Sequence, residues 1–338
     1  MVKNNFLSEI CLNTQTKNNR ETQTSMESKK IVVVGSTNMD MVVKTSHIPV
    51  PGETVLTGSF FMNPGGKGAN QAVAVARLGG NVTFISKVGN DVFGKQSAQL
   101  FDEEDINTFH VLSDPDLPSG VALITVDDKG ENSIVVASGA NANLLPADLE
   151  DALADIADAG VVLMQLEIPL QTVEFVAKYA ASKGISVILD PAPAKQLSAE
   201  LLTALDIITP NQTEAEILSG IKVNNIESAK KAAKIIYGHG VKQVVITMGT
   251  LGAVIYQGNK AEVIPARKVE AVDSTAAGDV FNGALAVALS EGKPLTQAVE
   301  FACMVAAISV TRLGAQSSIP YRNEIIAHQV STDHLAKD

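Results

Sequence analysis

The amino-acid sequence predicts an α/β fold, a mostly parallel sheet sandwiched by helices, with a small projecting β lid. Three observations point to it. From residue 31 onward, short runs rich in apolar, β-branched residues alternate with longer segments of helical period. These runs are apolar almost throughout instead of alternating with polar residues, which marks strands buried on both faces and hence a parallel sheet with right-handed crossovers. Two regions, 40–63 and 120–138, break the rhythm, because strand-like runs follow one another there with Pro, Gly or Asp-Lys-Gly turns between them.

Taken in order, IVVVG predicts a strand over 31–35, and the segment of helical period behind GGK predicts a helix over 68–78. VTFIS (82–86), VVLMQ (161–165), SVILD (186–190), the pair II (207–208) and VVIT (244–247) supply the remaining strands. Helices are expected over 170–182, 226–238, 278–290 and 295–311. No repeat or low-complexity linker divides 31–330, so the chain reads as one domain over 29–330, with the lid drawn from about 40–63 and 120–138 and a short tail over 331–338. Residues 1–28, rich in Asn, Thr, Gln and Lys, show neither the apolar stretch of a signal peptide nor an Arg-rich transit pattern and read as a disordered extension. Met26 opens MESKKIVVVG, where the folded unit is expected to start.

Composition narrows the class of partner. With 338 residues and 46% hydrophobic content the chain can bury a large core. Its 26 basic residues against 37 acidic ones leave a net charge of −11 and no Lys/Arg cluster, which argues against nucleic acid. No apolar run approaches the roughly 20 residues that span a bilayer. The two cysteines, Cys11 and Cys303, suggest no disulfide framework, so a cytoplasmic setting is expected.

The stretch DSTAAGDVFNG (273–283) carries the chemistry. A helix beginning near Gly278 would point the backbone N–H groups of Ala276, Ala277, Gly278 and Asp279 at one spot, and the small side chains would let an anion approach. Such fixed donors suit a phosphoryl group in transfer, whose charge spreads without new covalent bonds to the protein. Asp279, at the mouth, would accept the proton of an attacking hydroxyl. The alternative is an acid that merely favours a helix N-terminus. Neither a G-x-x-x-x-G-K-[ST] loop nor a G-x-G-x-x-G after the first strand is present, so phosphate handling must rest elsewhere than on those motifs.

This Ala-Gly-Asp helix start, together with the earlier Gly65-Gly66-Lys67-Gly68-Ala69-Asn70, resembles the ribokinase family of sugar kinases over roughly residues 30–330. The resemblance implies that Asp279 is the catalytic base and that Ala276, Ala277 and Gly278 form the anion hole. It implies ATP-dependent phosphorylation of D-ribose at its 5-hydroxyl. The alternatives are another sugar or nucleoside kinase, such as a deoxyribokinase or fructokinase, or a catalytically silent sugar-binding regulator on the same fold.

For the nucleotide and its metal, Asn211 and Glu214 have the spacing to share one helical face and orient hydrated Mg²⁺; a capping box is the other reading. The resemblance favours the metal role, with Glu214 acting through water. It also places Asn211, Thr247, Gly249, Thr250, Gly252 and Gly278 at the ATP phosphates, although 247–252 can equally be a strand-to-hairpin turn. Cys303 falls where relatives often carry a polar residue beside the adenine. For the sugar, Asn38 and Asp40 follow the first strand, Gly66, Lys67 and Asn70 open the next helix, and Glu167 follows the strand 161–165, all at strand carboxyl ends where α/β sheets bind ligands. Singly, Asn38 and Asp40 are turn formers, Glu167 a solvated acid and Lys67 a surface lysine; the resemblance makes each a ribose contact. It also implies activation by K⁺ beside the anion hole at Asp273, Thr275, Ser309, Arg312, Gly314 and Ser318, where the alternative is a loop packed under the hole. Transfer to a hydroxyl in preference to water requires closure of the lid, and its exposed edge suggests a homodimer.

Overall fold

The computed structural model describes residues 28–56 and 58–327. Apart from Ser28, the expected N-terminal extension lies outside the described residues, as do Cys11, Met26 and the tail over 331–338. Along the chain, β1 (Ile31–Val34), β2 (Asn38–Lys44) and β3 (Ser59–Gly65) lead into α1 (Lys67–Arg77). Then come β4 (Val82–Gly89), α2 (Val92–Glu103), β5 (Asn107–Asp114), β6 (Gly120–Val126) and β7 (Asn132–Ala137). A short α3 (Leu153–Ala157) precedes β8 (Val161–Met164), α4 (Leu170–Ser182), β9 (Ser186–Leu189), α5 (Ala199–Ala204), β10 (Ile207–Ile208) and α6 (Gln212–Ser219). The last elements are α7 (Ile226–Gly238), β11 (Gln243–Thr247), the hairpin β12 (Ala253–Gln257) and β13 (Lys260–Ile264), and the long helices α8 (Ala277–Ser290) and α9 (Leu295–Ser309).

Nine strands form the main sheet in the order β13-β12-β11-β10-β9-β8-β1-β4-β5. All pairings from β11 to β5 are parallel, and only the two pairings of β12, with β11 and with β13, are antiparallel. The wholly apolar strands explain the layering. Side chains alternate across a strand, so Ile31 and Val33 enter a core with α1, α8 and α9, while Val32 and Val34 enter a second core with α4 and α7. Helix α8 is apolar on nearly every face because it packs against both α1 and α9. Gly283 permits the α1 crossing, since a Cβ there would stand 2.6 Å from that of Ala74.

Four strands form the second sheet, ordered β3-β2-β6-β7, from the two segments that interrupt the βα rhythm. Its register sets Asp40 opposite Asn63 on one side and Ala122 on the other. Met41, one residue on, aligns with Met62 and Leu123 and therefore shows the opposite face.

The helices over 170–182 and 226–238 fall where periodicity predicts, and others shift by one or two residues at an end: α1 starts at Lys67, α8 at Ala277, and α9 closes at Ser309. Periodicity passes over α2, because its buried positions are Gly94, Ser97 and Phe101 and so carry one large apolar side chain. It also passes over β5, an edge strand whose exposure varies along its length.

Candidate active site

The carboxyl ends of β1, β8, β9, β10 and β11 meet the start of α8 along one edge, as expected of a parallel sheet. A cleft of about 220 Å³ lies there, bounded by Lys67, Asp190, Asn211, Glu214, Thr247 and the turn from Ala276 to Asp279.

Ala276 adopts a left-handed conformation, φ 59°, and directs the chain into α8. Of the four N–H groups expected to point at an anion, that of Ala277 turns back to Ser274 O at 3.2 Å. Those of Ala276, Gly278 and Asp279 make no hydrogen bond among the described residues. Gly278 faces open space, with nothing within 4 Å of a Cβ built on it. A first helical turn with free donors and open space before it can receive an anion. Asn282 braces it, donating from Nδ2 to Gly278 O at 2.9 Å and accepting from Thr209 Oγ1 at 2.7 Å.

Asp279 is buried and bound at both oxygens. Oδ2 accepts from Asn70 Nδ2 at 2.9 Å, and Oδ1 accepts from Gln71 Nε2 at 3.1 Å. An acid serving only the helix terminus would not need two donors from another helix. Beside it, the Lys67 ammonium makes no ion pair or hydrogen bond with a described residue. The field of Asp279 above all, then of Asp190, Glu167 and Glu214, holds that ammonium above the usual lysine range despite its burial. Lys67 is therefore no surface lysine; it is the cation among four acids.

Asn38 and Asp40 lie on β2 and not in a turn. The Asp40 carboxyl makes no hydrogen bond with a described residue, and it is pushed up to about 7 by burial first, then by Glu167 and Asp279. It sits over Gly65, where a Cβ would fall 2.3 Å from Oδ2. Gly66, φ 88°, turns the chain into α1, and a Cβ there would stand 2.7 Å from Asn38 N. Glu167 is pinned instead of solvated: its Oε2 accepts from Ser36 Oγ at 2.5 Å and from Lys67 N at 3.0 Å. Asn70 Oδ1 is buried without a partner among the described residues, an acceptor suited to a substrate hydroxyl.

Asn211 and Glu214 do form the capping box: Asn211 N donates to Glu214 Oε2 at 2.8 Å, and Glu214 N donates to Asn211 Oδ1 at 3.0 Å. Both nevertheless bound the cleft, and burial raises Glu214 above the usual range. No cluster of three or more His, Cys, Asp or Glu able to hold a metal occurs among the described residues. That donor set fits a hydrated cation carried by nucleotide phosphates and not a direct protein cage.

Thr247 reaches the cleft from the end of β11. Gly249 and Thr250 lie on the exposed turn beyond it, whereas Gly252, φ 92°, packs so tightly that a Cβ would stand 2.0 Å from Ile264 O. The hairpin accounts for Gly252 without a ligand. Cys303, on α9, does not bound the cleft; burial pushes its thiol up to about 11. Among the positions assigned to K⁺, Asp273 accepts from Thr275 N and Gly314 N, both at 2.9 Å, which draws those three together. The other side chains turn to their own segments: Ser309 to Ala306 O, Ser318 to Ala315 O, and Arg312 to Glu324.

Sequence reasoning passes over Gln71, Gln165, Asp190 and Asn141. Asn141 Oδ1 accepts from Thr37 N at 2.9 Å, and its Nδ2 donates to Asn38 Oδ1 at 2.8 Å, fixing the start of β2. For Asp190 a signal existed, because an acid just past an apolar strand is the same pattern that singles out Glu167.

Known proteins resemble this chain in sequence and in fold. The chain is 46% identical to a ribokinase of Haemophilus influenzae over 298 residues, covering 88% of this chain and 97% of that protein. It is 37% identical to a deoxyribokinase of Salmonella typhi over 291 residues, covering 86% and 95% respectively. The structure of an Arabidopsis thaliana ribokinase complexed with ribose and ATP superposes with a TM-score of 0.83 at 34% identity, covering 89% of this chain and 98% of that one. The family described as pfkB family carbohydrate kinase matches residues 28–322, a span that includes both sheets and every residue of the cleft, and the chain belongs to that family.

Proposed function

We propose that this carbohydrate kinase transfers the γ-phosphoryl group of ATP to the 5-hydroxyl of D-ribose, giving D-ribose 5-phosphate and ADP. The observation that carries the reading is the position of Asp279, buried and doubly bound, between three free N–H donors and the unpartnered sugar-side acceptors Asp40 and Asn70. Asp279 takes the proton of the 5-hydroxyl as its oxygen bonds to phosphorus, and the bond from phosphorus to the ADP oxygen breaks. The N–H groups of Ala276, Gly278 and Asp279 and the Lys67 ammonium stabilise the charge on the transferring group. Asp40, Asn38, Asn70 and Glu167 hold the sugar. Asn211 and Glu214 would orient the water shell of a divalent cation, proposed as Mg²⁺, which when bound would supply neutralising charge at the ATP phosphates.

Initial rates with ribose, 2-deoxyribose, fructose and adenosine at fixed ATP and Mg²⁺ test the substrate. Ribose is expected to win on kcat/KM, because a pocket that bonds each hydroxyl leaves a buried group unpaired when one is missing. The deoxyribokinase relative makes 2-deoxyribose the competitor to beat. A tenfold advantage for another substrate moves the assignment within the family, and no transfer to any of the four favours a sugar-binding regulator. Asp40→Ala should weaken ribose more than 2-deoxyribose. Since burial pushes the Asp40 carboxyl up to about 7, and the carboxylate is the better acceptor, ribose affinity should strengthen as pH rises through that value. The rise should vanish in Asp40→Asn.

Activation by K⁺ is proposed at the loop joining Asp273, Thr275 and Gly314, where residues before α8 bond to residues after α9. At fixed ionic strength K⁺ should raise the rate above tetramethylammonium, and Asp273→Ala should abolish the difference; equal rates in the parent protein would refute the site. A homodimer is proposed through the face of the second sheet opposite Asp40, which exposes Phe60, Met62, Leu123 and Val135. A cytosolic setting is also proposed; no helix among the described residues is long and apolar enough to cross a membrane.

A further inference from the structure

Asp190 is a buried acid that the transfer described above does not use. It follows β9 at the cleft, 5% exposed, and burial raises it well above the usual carboxyl range, with Asp279 and Glu214 adding repulsion and Lys67 opposing it. Its Oδ2 accepts from Gln71 Nε2 at 2.8 Å, and the same nitrogen donates to Asp279 Oδ1 at 3.1 Å. Gln71 Oε1 accepts from Gln165 Nε2 at 2.5 Å. A glutamine amide has two N–H donors, and here both go to acids while its oxygen is held from behind. Gln71 and Gln165 are wholly buried, so neither amide has water as an alternative partner.

We propose that Gln71 is a positioning residue for phosphoryl transfer: gripped by Gln165 and Asp190, its amide holds the Asp279 carboxylate aimed at the sugar hydroxyl. Asp279 has one other side-chain donor, Asn70, and a carboxylate with one donor can swing about it. The second bond, to Gln71, stops that rotation, and Asp190 stops the rotation of Gln71. This inference rests on Asp279 being the base. Around Asp279 stand Lys67 of α1, Asp40 of β2, Glu167 after β8, Asp190 after β9 and Glu214 of α6. The side-chain hydrogen bonds that Asp279 accepts among the described residues come from two amides, Asn70 Nδ2 and Gln71 Nε2.

Gln71→Met keeps length and burial but removes both N–H groups. Its kcat is expected to fall roughly 10–100-fold with the KM for the preferred sugar changed less than about threefold, as for a group acting on the transition state. The acid-side limb of its kcat–pH profile should move to higher pH, because the ionised base has lost a donor. Asp190→Asn, which retains an oxygen for the Gln71 amide, should keep at least about ten times the kcat of Asp190→Leu. A purely structural role would lower stability without moving the pH limb. The proposal is overturned if Gln71→Met has the parent kcat and limb, if kcat falls with the limb unmoved, or if Asp190→Asn is as slow as Asp190→Leu. An active Asp279→Asn would remove the base reading itself; an inactive Asp279→Asn beside a normal Gln71→Met would remove only this inference.

Discussion

Asp279→Asn is expected to lower kcat by about 10²–10⁴-fold while leaving ATP binding largely intact. The substitution preserves shape, so Asn70 and the first turn of α8 keep their places, and the loss isolates the carboxylate's capacity to take a proton. The Asn side chain also turns one end into a donor, which conflicts with one of the two amides now donating to Asp279. Steady-state rates with each candidate sugar, together with ADP affinity by calorimetry, check both halves. Turnover within a few-fold of the parent protein would sink the base assignment and leave the anion seat as the principal device.

Lys67→Met should cost about 10²–10³-fold in kcat, the scale found when a preorganised donor to transition-state charge is removed. Lys67 has a second role that gives the prediction another readout. Its ammonium balances Asp279, Asp190, Glu167 and Glu214 in a buried site. Without it Asp190 and Glu214, already raised by burial and held down by Lys67, rise further, and the folded state binds protons more tightly than the unfolded chain. For acids raised in this way the sign is clear: stability falls as pH rises through the range between the unfolded and folded values. Thermal unfolding of Lys67→Met should therefore drop more steeply than that of the parent protein as pH increases from about 4 to 7. Lys67→Arg is not expected to rescue the rate, because a planar guanidinium cannot fill the compact space of an ammonium. A Lys67→Met enzyme with parent kcat would return Lys67 to a purely structural status.

The capping box at Asn211 and Glu214 is one motif open to two readings. Its spacing suits a helix start and a cation's water shell equally, and local pattern has no means to choose. The structure supplies the cap and also sets both residues at the cleft. At Gly252 the outcome is different, since the close approach of Ile264 O explains the glycine by packing alone.

What the sequence by itself determined is local in origin. Apolar strands with helical segments between them dictate a sheet covered on both faces, and small residues before Asp279 dictate an approachable helix start, because both properties belong to neighbouring residues. The place of Asp279 at that helix start was legible for that reason. Its partners were not. Asn70 and Asp279 are 209 residues apart, and Gln71 and Asp190 are 119 apart. They meet only because β1 lies between β4 and β8 and α1 packs on α8. Strand order is settled by how whole layers bury their apolar faces, so the assembled layers, and no local pattern, decide which amides bond Asp279 and which acid bonds Gln71.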